Sequence, residues 1–123
     1  MHYIILDTSS ILFAAANRKD AFKAIEERFP NCKIMISKGV IRELRGISSN
    51  AGRKGSSARL SLEMLGYKKV NVDNVSGNVD SWIFRKASSP GVRAVVTNDD
   101  QLARKLRGGG TAVFKVSRDG FLR

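Results

Sequence analysis

The sequence predicts an α/β fold of three layers, α/β/α, around a central parallel sheet of about five strands. Three observations predict it. Short apolar runs alternate with segments of helical period along the whole chain; the first run, 3–6 (YIIL), is uniformly apolar, as in a strand covered on both faces; and 123 residues with 42% hydrophobic side chains can build a layered core. No internal repeat and no linker divides the chain, so residues 1–123 are expected to form one domain.

The elements follow in order. After the strand at 3–6, residues 10–16 read as a short helix. Residues 20–29 form a second, with Ala21, Ala24, Ile25 and Arg28 at helical spacing and Pro30 and Asn31 as its stop. A strand at 33–37 leads into a helix at 38–47. The stretch 48–57 (SSNAGRKGSS) reads as a basic, Gly/Ser-rich loop, and helix resumes at 58–65 with Gly66 as its C-cap. Val70 and Val72 mark a brief strand, 79–87 a helix, and 93–96 a strand. Residues 99–107 form a helix closed by three glycines, and 112–116 the last strand.

Composition narrows the function. Twenty-two Lys and Arg against eleven Asp and Glu give a net charge of +11, the balance of a protein with a polyanionic partner, RNA first among them. The cations cluster: Arg42, Arg45, Arg53, Lys54 and Arg59 form one group, and Arg104, Lys105, Arg107, Lys115, Arg118 and Arg123 another. With one cysteine and one histidine, neither an internal disulfide nor a zinc cluster can form, and Ser-His-Asp and Cys-His catalysis have no material beyond His2. No run approaches a membrane span, and the opening segment carries Asp7 among hydroxyl residues, unlike a signal peptide; the expected location is the cytoplasm.

Against this basic background four acids stand apart. Asp7 follows the first strand and Asp99 the 93–96 strand, at the carboxyl edge where open α/β sheets bind ligands. Helix capping is the competing explanation for both. Asp99 shares a helical stripe with Leu102, Ala103 and Leu106, whereas Asp100 shares its stripe with Arg104 and Arg107 and faces water. Asp80 heads the stripe Ile83, Phe84, Ala87, and Glu43 stands in the stripe Val40, Leu44, Ile47, beyond any capping position. Four carboxylates brought within about 5 Å would repel by about 3 kcal/mol per pair at an effective dielectric near 20. A hard divalent cation, Mg²⁺ or Mn²⁺, resolves that conflict, and the chemistry on offer is metal-assisted phosphodiester hydrolysis.

The segments ILDTSSIL with Asp7, VIREL with Glu43, VDSWIFRKA with Asp80 and VVTNDDQLARKL with Asp99 resemble, in order and spacing, the acidic motifs of PIN-domain ribonucleases. The resemblance covers nearly the whole chain. It implies strand order 3-2-1-4-5, a Mg²⁺ or Mn²⁺ site on Asp7, Glu43, Asp80 and Asp99, and endonucleolytic cleavage of single-stranded or structured RNA. It also implies hydrogen-bond support of that site by Thr97, Thr8 and Ser9. Ser9 stands where many members carry Asn, and Ser81 where the ribosomal-processing branch often carries a second Asp. The VIREL and TNDDQLARKL segments are more similar to PIN proteins of pre-ribosomal RNA processing than to VapC toxins. Expected partners are thus RNA, a second copy of the chain, and a pre-ribosomal particle or an antitoxin. Arg42, Arg45, Arg53, Lys54 and Arg59 are the expected RNA contacts; Tyr67 and Trp82 could stack on bases, although Trp82, next to Asp80 in a helix, reads first as core. Two other classes fit the pattern less closely: a non-catalytic RNA-binding scaffold on the same fold, and a receiver-like signalling domain, which the charge and the lack of an acid after the 33–37 strand disfavour.

Overall fold

Uniformly apolar segments bury both faces and pair side by side. In the computed structural model, which describes residues 1–123, β1 (Tyr3–Leu6) lies at the centre of a five-stranded parallel sheet. Ile4, Ile5 and Leu6 are wholly buried, each side chain contributing about 1.5–3 kcal/mol on leaving water. β1 pairs with β2 (Lys33–Ser37) on one side and β4 (Val92–Val96) on the other, while β3 (Asn71–Asp73) and β5 (Val113–Phe114) form the edges. The order β3-β2-β1-β4-β5 is the one the resemblance implies. Six helices flank the sheet: α1 (Thr8–Ala16), α2 (Ala21–Arg28), α3 (Lys38–Ser48), α4 (Gly52–Leu65), α5 (Val79–Lys86) and α6 (Asp100–Gly108). None is long and apolar enough to cross a membrane.

Register fixes the site. Leu6 pairs with Val96, and the Asp7 amide donates to the Val96 carbonyl at 3.0 Å, so Asp7 and Thr97 leave the sheet side by side. Thr8 then starts α1 and Asp99 precedes α6, placing both turns over the carboxyl edge.

Three expectations change. The 48–57 segment is a loop only at residues 49–51; α4 begins at Gly52 and carries Arg53 and Lys54 in its first turn. Glycine and serine are weak helix formers, but packing overrides propensity here because small residues let α4 lie close against α3 and α1. A Cβ on Gly55 would stand 1.8 Å from the Asn50 carbonyl oxygen, and Ser57, Ala58 and Ser61 are buried. The Arg59 guanidinium donates to the Ser48 carbonyl at 2.7 Å and the Asn50 carbonyl at 3.4 Å, closing the end of α3.

In α5 the buried stripe is Val79, Trp82 and Ile83, one residue earlier than expected. Asp80 and Phe84 therefore face outward, with Phe84 53% exposed. Trp82 is core, as its place in the helix suggests: it is 3% exposed and its Nε1 donates to Asp73 Oδ2 at 2.8 Å. The last strand is shorter than 112–116, since Val116 leaves the parallel ladder to bridge Leu122 in antiparallel fashion.

Candidate active site

Asp7 is the most constrained acid in the molecule. It occupies the N-cap position of α1, yet its carboxylate makes no capping bond; extended backbone at φ −87°, ψ 150° turns it toward β4 instead. Ser9 Oγ donates to Asp7 Oδ2 at 2.6 Å and Thr97 Oγ1 donates to the same oxygen at 2.7 Å. Each hydroxyl has a single proton and both are used on Asp7, so the 3.2 Å between Ser9 Oγ and Thr97 Oγ1 is a contact, not a further bond. Serine at position 9 thus supplies a direct hydrogen bond where many members of the resembled family carry Asn.

No protein donor reaches Asp7 Oδ1. Ser37 Oγ is the only fully buried side-chain polar atom without a partner, so Oδ1 touches solvent although Asp7 as a whole is 4% exposed. Burial raises the Asp7 pKa above the ordinary 3.8; the Ser9 and Thr97 bonds oppose that shift, and the nearby charges of Asp80 and Glu43 add to it.

The hydroxyl network continues outward. Ser9 Oγ accepts from the Asn98 amide at 3.0 Å, and Ser10 Oγ donates to Asn98 Oδ1 at 2.6 Å. Asn98 then exchanges two hydrogen bonds with the Val116 backbone, at 2.9 and 3.0 Å, locking the turn after β4 to the strand beyond it. Ser10 and Asn98 were not legible as site-builders from residue type alone. Their signal is position: Asn98 stands in the turn directly after β4, and Ser10 in the first turn of the helix that follows β1.

The other acids are held differently. Thr8 Oγ1 donates to Glu43 Oε1 at 2.6 Å, tethering an otherwise exposed glutamate of α3 to the start of α1. Asp99 caps α6, its Oδ1 accepting from the Gln101 and Leu102 amides at 3.0 and 3.1 Å, and its own amide donates to Thr97 Oγ1 at 3.1 Å. Its Oδ2 has no protein donor. Asp80, the second residue of α5, is exposed. Asp80 and Asp99 line one cleft of about 430 Å³ between α5 and α6 with Ser81, Phe84, Arg85, Gln101, Leu102 and Lys105.

The four acids therefore share one edge of the sheet but do not converge as tightly as the sequence reading expects. No three His, Cys, Asp or Glu side chains stand close enough to hold one ion directly. Like charges separate when each has another donor available, as Glu43 has in Thr8 and Asp99 in its own helix amides. None of the four forms an ion pair, although Arg85 and Lys105 line the cleft that holds Asp80 and Asp99. Asp20, Glu26, Glu27, Asp73 and Asp119 all form ion pairs with Lys or Arg; Asp7, Glu43, Asp80 and Asp99 form none in a chain of net charge +11, and neither do Glu63 and Asp100. Oxygen donors with free lone pairs and no cationic partner fit a hard divalent ion that keeps several waters.

The cations are as free as the acids. Only Lys23, Lys68, Lys86 and Arg123 of the twenty-two are ion-paired. Arg42 and Arg45 line a shallow cleft of about 350 Å³ with Lys38, Ile41 and Ser76, and Arg53 and Lys54 are exposed on α4. Arg59 is exposed but engaged with carbonyls. Tyr67 is exposed in a separate groove with Phe22, Glu26 and Lys68, away from the acids.

The fold has counterparts among known proteins. The family model described as a PIN like domain matches residues 4–118. Among solved structures, the PIN domain endonuclease Utp24 superposes with a TM-score of 0.74 at 21% identity, over 94% of this chain and 85% of that one. A domain of a functionally unknown protein from Methanocaldococcus jannaschii DSM 2661 superposes with a TM-score of 0.64 at 16% identity, over 95% of this chain and 92% of that one. No curated protein matches the chain.

Proposed function

Because the chain belongs to the PIN-like domain family, we propose that it is a single-domain, metal-dependent endoribonuclease whose reacting site is the carboxyl edge of β1 and β4. One observation carries the reading: four acids from separate stretches of the chain gather at that edge, and none of them is in an ion pair although the chain has eighteen unpaired Lys and Arg. The fold shared with the endonuclease Utp24 supports it. The likeness of VIREL and TNDDQLARKL to the pre-ribosomal branch favours a role in rRNA processing over a toxin role.

Asp7, Glu43, Asp80 and Asp99 would hold Mg²⁺ or Mn²⁺ together with water. Bound there, such an ion lowers the pKa of a water nucleophile and draws charge from the phosphoryl oxygens. The chain's own residues set the conditions. Ser9 and Thr97 fix Asp7 through Oδ2 and leave Oδ1 open, and Thr8 aims Glu43 from a second helix. The amides at the start of α6 hold one oxygen of Asp99 and leave the other free. Asp80 sits in the first turn of α5, exposed at the cleft it shares with Asp99. Free cations on α3 and α4 gather the polyanion.

A labelled RNA incubated with Mn²⁺ tests the proposal, with Asp99→Asn as control, because Asn caps a helix as well as Asp. Cleavage lost in Asp99→Asn with RNA binding retained supports the nuclease. Binding without cleavage under any divalent ion would favour the second reading, an RNA-binding scaffold on the same fold. That alternative draws on the absence of three converging acids and on Ser81 in place of an acid.

A further inference from the structure

The cleft between α5 and α6 holds more than acids. Its lining is graded: Asp80 and Asp99 stand at the N-terminal ends of the two helices, Phe84 and Arg85 about one turn further along α5, and Lys105 nearly two turns further along α6. Ser81 and Gln101 lie between the two groups.

Phe84 is the unexpected member. An aromatic ring 53% exposed has left the core without need, since Val79, Trp82 and Ile83 already supply the buried face of α5. No other aromatic ring packs on it. Arg85 and Lys105 flank the cleft, and neither forms an ion pair. Arg85 Nε donates to the Ser81 carbonyl at 3.3 Å, which positions the guanidinium and leaves its terminal nitrogens free. Ser81 places no second carboxylate where an incoming phosphate would meet it.

We infer that this cleft seats one unpaired nucleotide next to the phosphate to be cut, its base stacked on Phe84, its phosphates held by Arg85 and Lys105, and its edge within reach of the Gln101 amide. The inference rests on the nuclease reading for the identity of the acid end. It narrows the substrate to RNA that is single-stranded at the cut. A cleft of about 430 Å³ has the size of a small-molecule site, enough for a nucleotide. Stacking on an exposed aromatic beside cations is how single strands are held without reading their sequence, and an A-form duplex offers no base face along its length.

The test is binding in EDTA, where nothing is cut, of a fluorescently labelled single strand and of a blunt duplex of the same sequence. Phe84→Ala should weaken single-strand binding about tenfold and leave duplex binding unchanged. Phe84→Trp should retain single-strand affinity, and its emission, after subtraction of the buried Trp82 signal seen in wild type, should be quenched by the single strand and not by the duplex. Equal single-strand affinity for wild type and Phe84→Ala, equal losses for both RNAs, or unmoved emission from Phe84→Trp would each overturn the subsite. A separate Mn²⁺ cleavage assay on wild type keeps the two readings apart. Cutting with indifference at Phe84 removes the subsite alone; quenching without cutting removes the nuclease alone and leaves the subsite in place.

Discussion

Thr97 Oγ1 donates to Asp7 Oδ2 at 2.7 Å and accepts from the Asp99 amide at 3.1 Å, so a single hydroxyl, 1% exposed, ties the first of the four acids to the last. The β1–β4 register brings the two residues together across ninety positions of sequence. Thr97→Val keeps the shape of the side chain and removes both bonds, leaving a buried carboxylate with one donor fewer and an amide with none. The expected loss is about 2 kcal/mol of stability, read by denaturant unfolding. Thr97→Ser should recover most of it, and a Thr97→Val protein as stable as wild type would mean that Ser9 alone carries Asp7.

Asp7 also gives the molecule a pH signature. Its folded-state pKa lies above the ordinary value, so the fold favours its protonated form. The stability this gives is complete below the ordinary carboxylate value of 3.8 and is lost as pH rises through the raised one. At neutral pH the ionised, buried group therefore weighs against folding. Asp7→Asn mimics the neutral form, and in EDTA at pH 7 it should melt above wild type. The gap should close as pH falls toward 3.8. A variant that melts below wild type at neutral pH would show that the two hydroxyl bonds to the ionised carboxylate outweigh its burial.

A cation at this edge reverses the sign of that substitution. An ion that binds only the folded chain, supplied at about a hundred times its Kd, adds about 2.7 kcal/mol, a rise in Tm on the order of 10 °C for a domain of this size. Wild type should show that rise with Mn²⁺ and lose it with EDTA, and Asp7→Asn should show little of it. Glu43→Gln and Asp80→Asn should reduce it by less, because both residues are exposed and Glu43 already holds Thr8. An equal rise in wild type and in all three variants would place the ion elsewhere.

The sheet was legible because both of its determinants are written in residue type: runs such as YIIL, apolar on every side chain, and acids directly after them. Strand order is set by pairing between distant segments and came only through family likeness. Two errors share one physical origin. In the GRKGSS segment, residues that disfavour helix in isolation form α4 because their small size lets it pack against α3, a tertiary effect that no local propensity contains. In α5, the apolar positions fit two helical stripes one residue apart, and only contact with the sheet chooses Val79, Trp82 and Ile83 over Asp80, Ile83 and Phe84. That choice is what moved Phe84 into the cleft. The sharing of hydroxyl protons around Asp7 depends on ångström-scale geometry, which spacing along a chain does not encode.

The free cations make the last expectation quantitative. Each phosphate neutralised on a single strand contributes about −0.7 to the slope of log affinity against log salt, so about six contacts give a slope near −4. Arg42 and Arg45 are exposed on one face of α3 and Arg53 and Lys54 are exposed on α4, so either pair changed to Ala should flatten the slope by about 1.4. Arg59 should behave otherwise. Its guanidinium closes the last carbonyls of α3, so Arg59→Ala should lower the melting temperature while moving the slope less than either pair does. Fluorescence anisotropy across a salt series, with a melting curve for each variant, separates the two roles. A steep loss of slope in Arg59→Ala with unchanged melting would show that its bonds to Ser48 and Asn50 give way when RNA arrives and that the residue belongs to the binding surface.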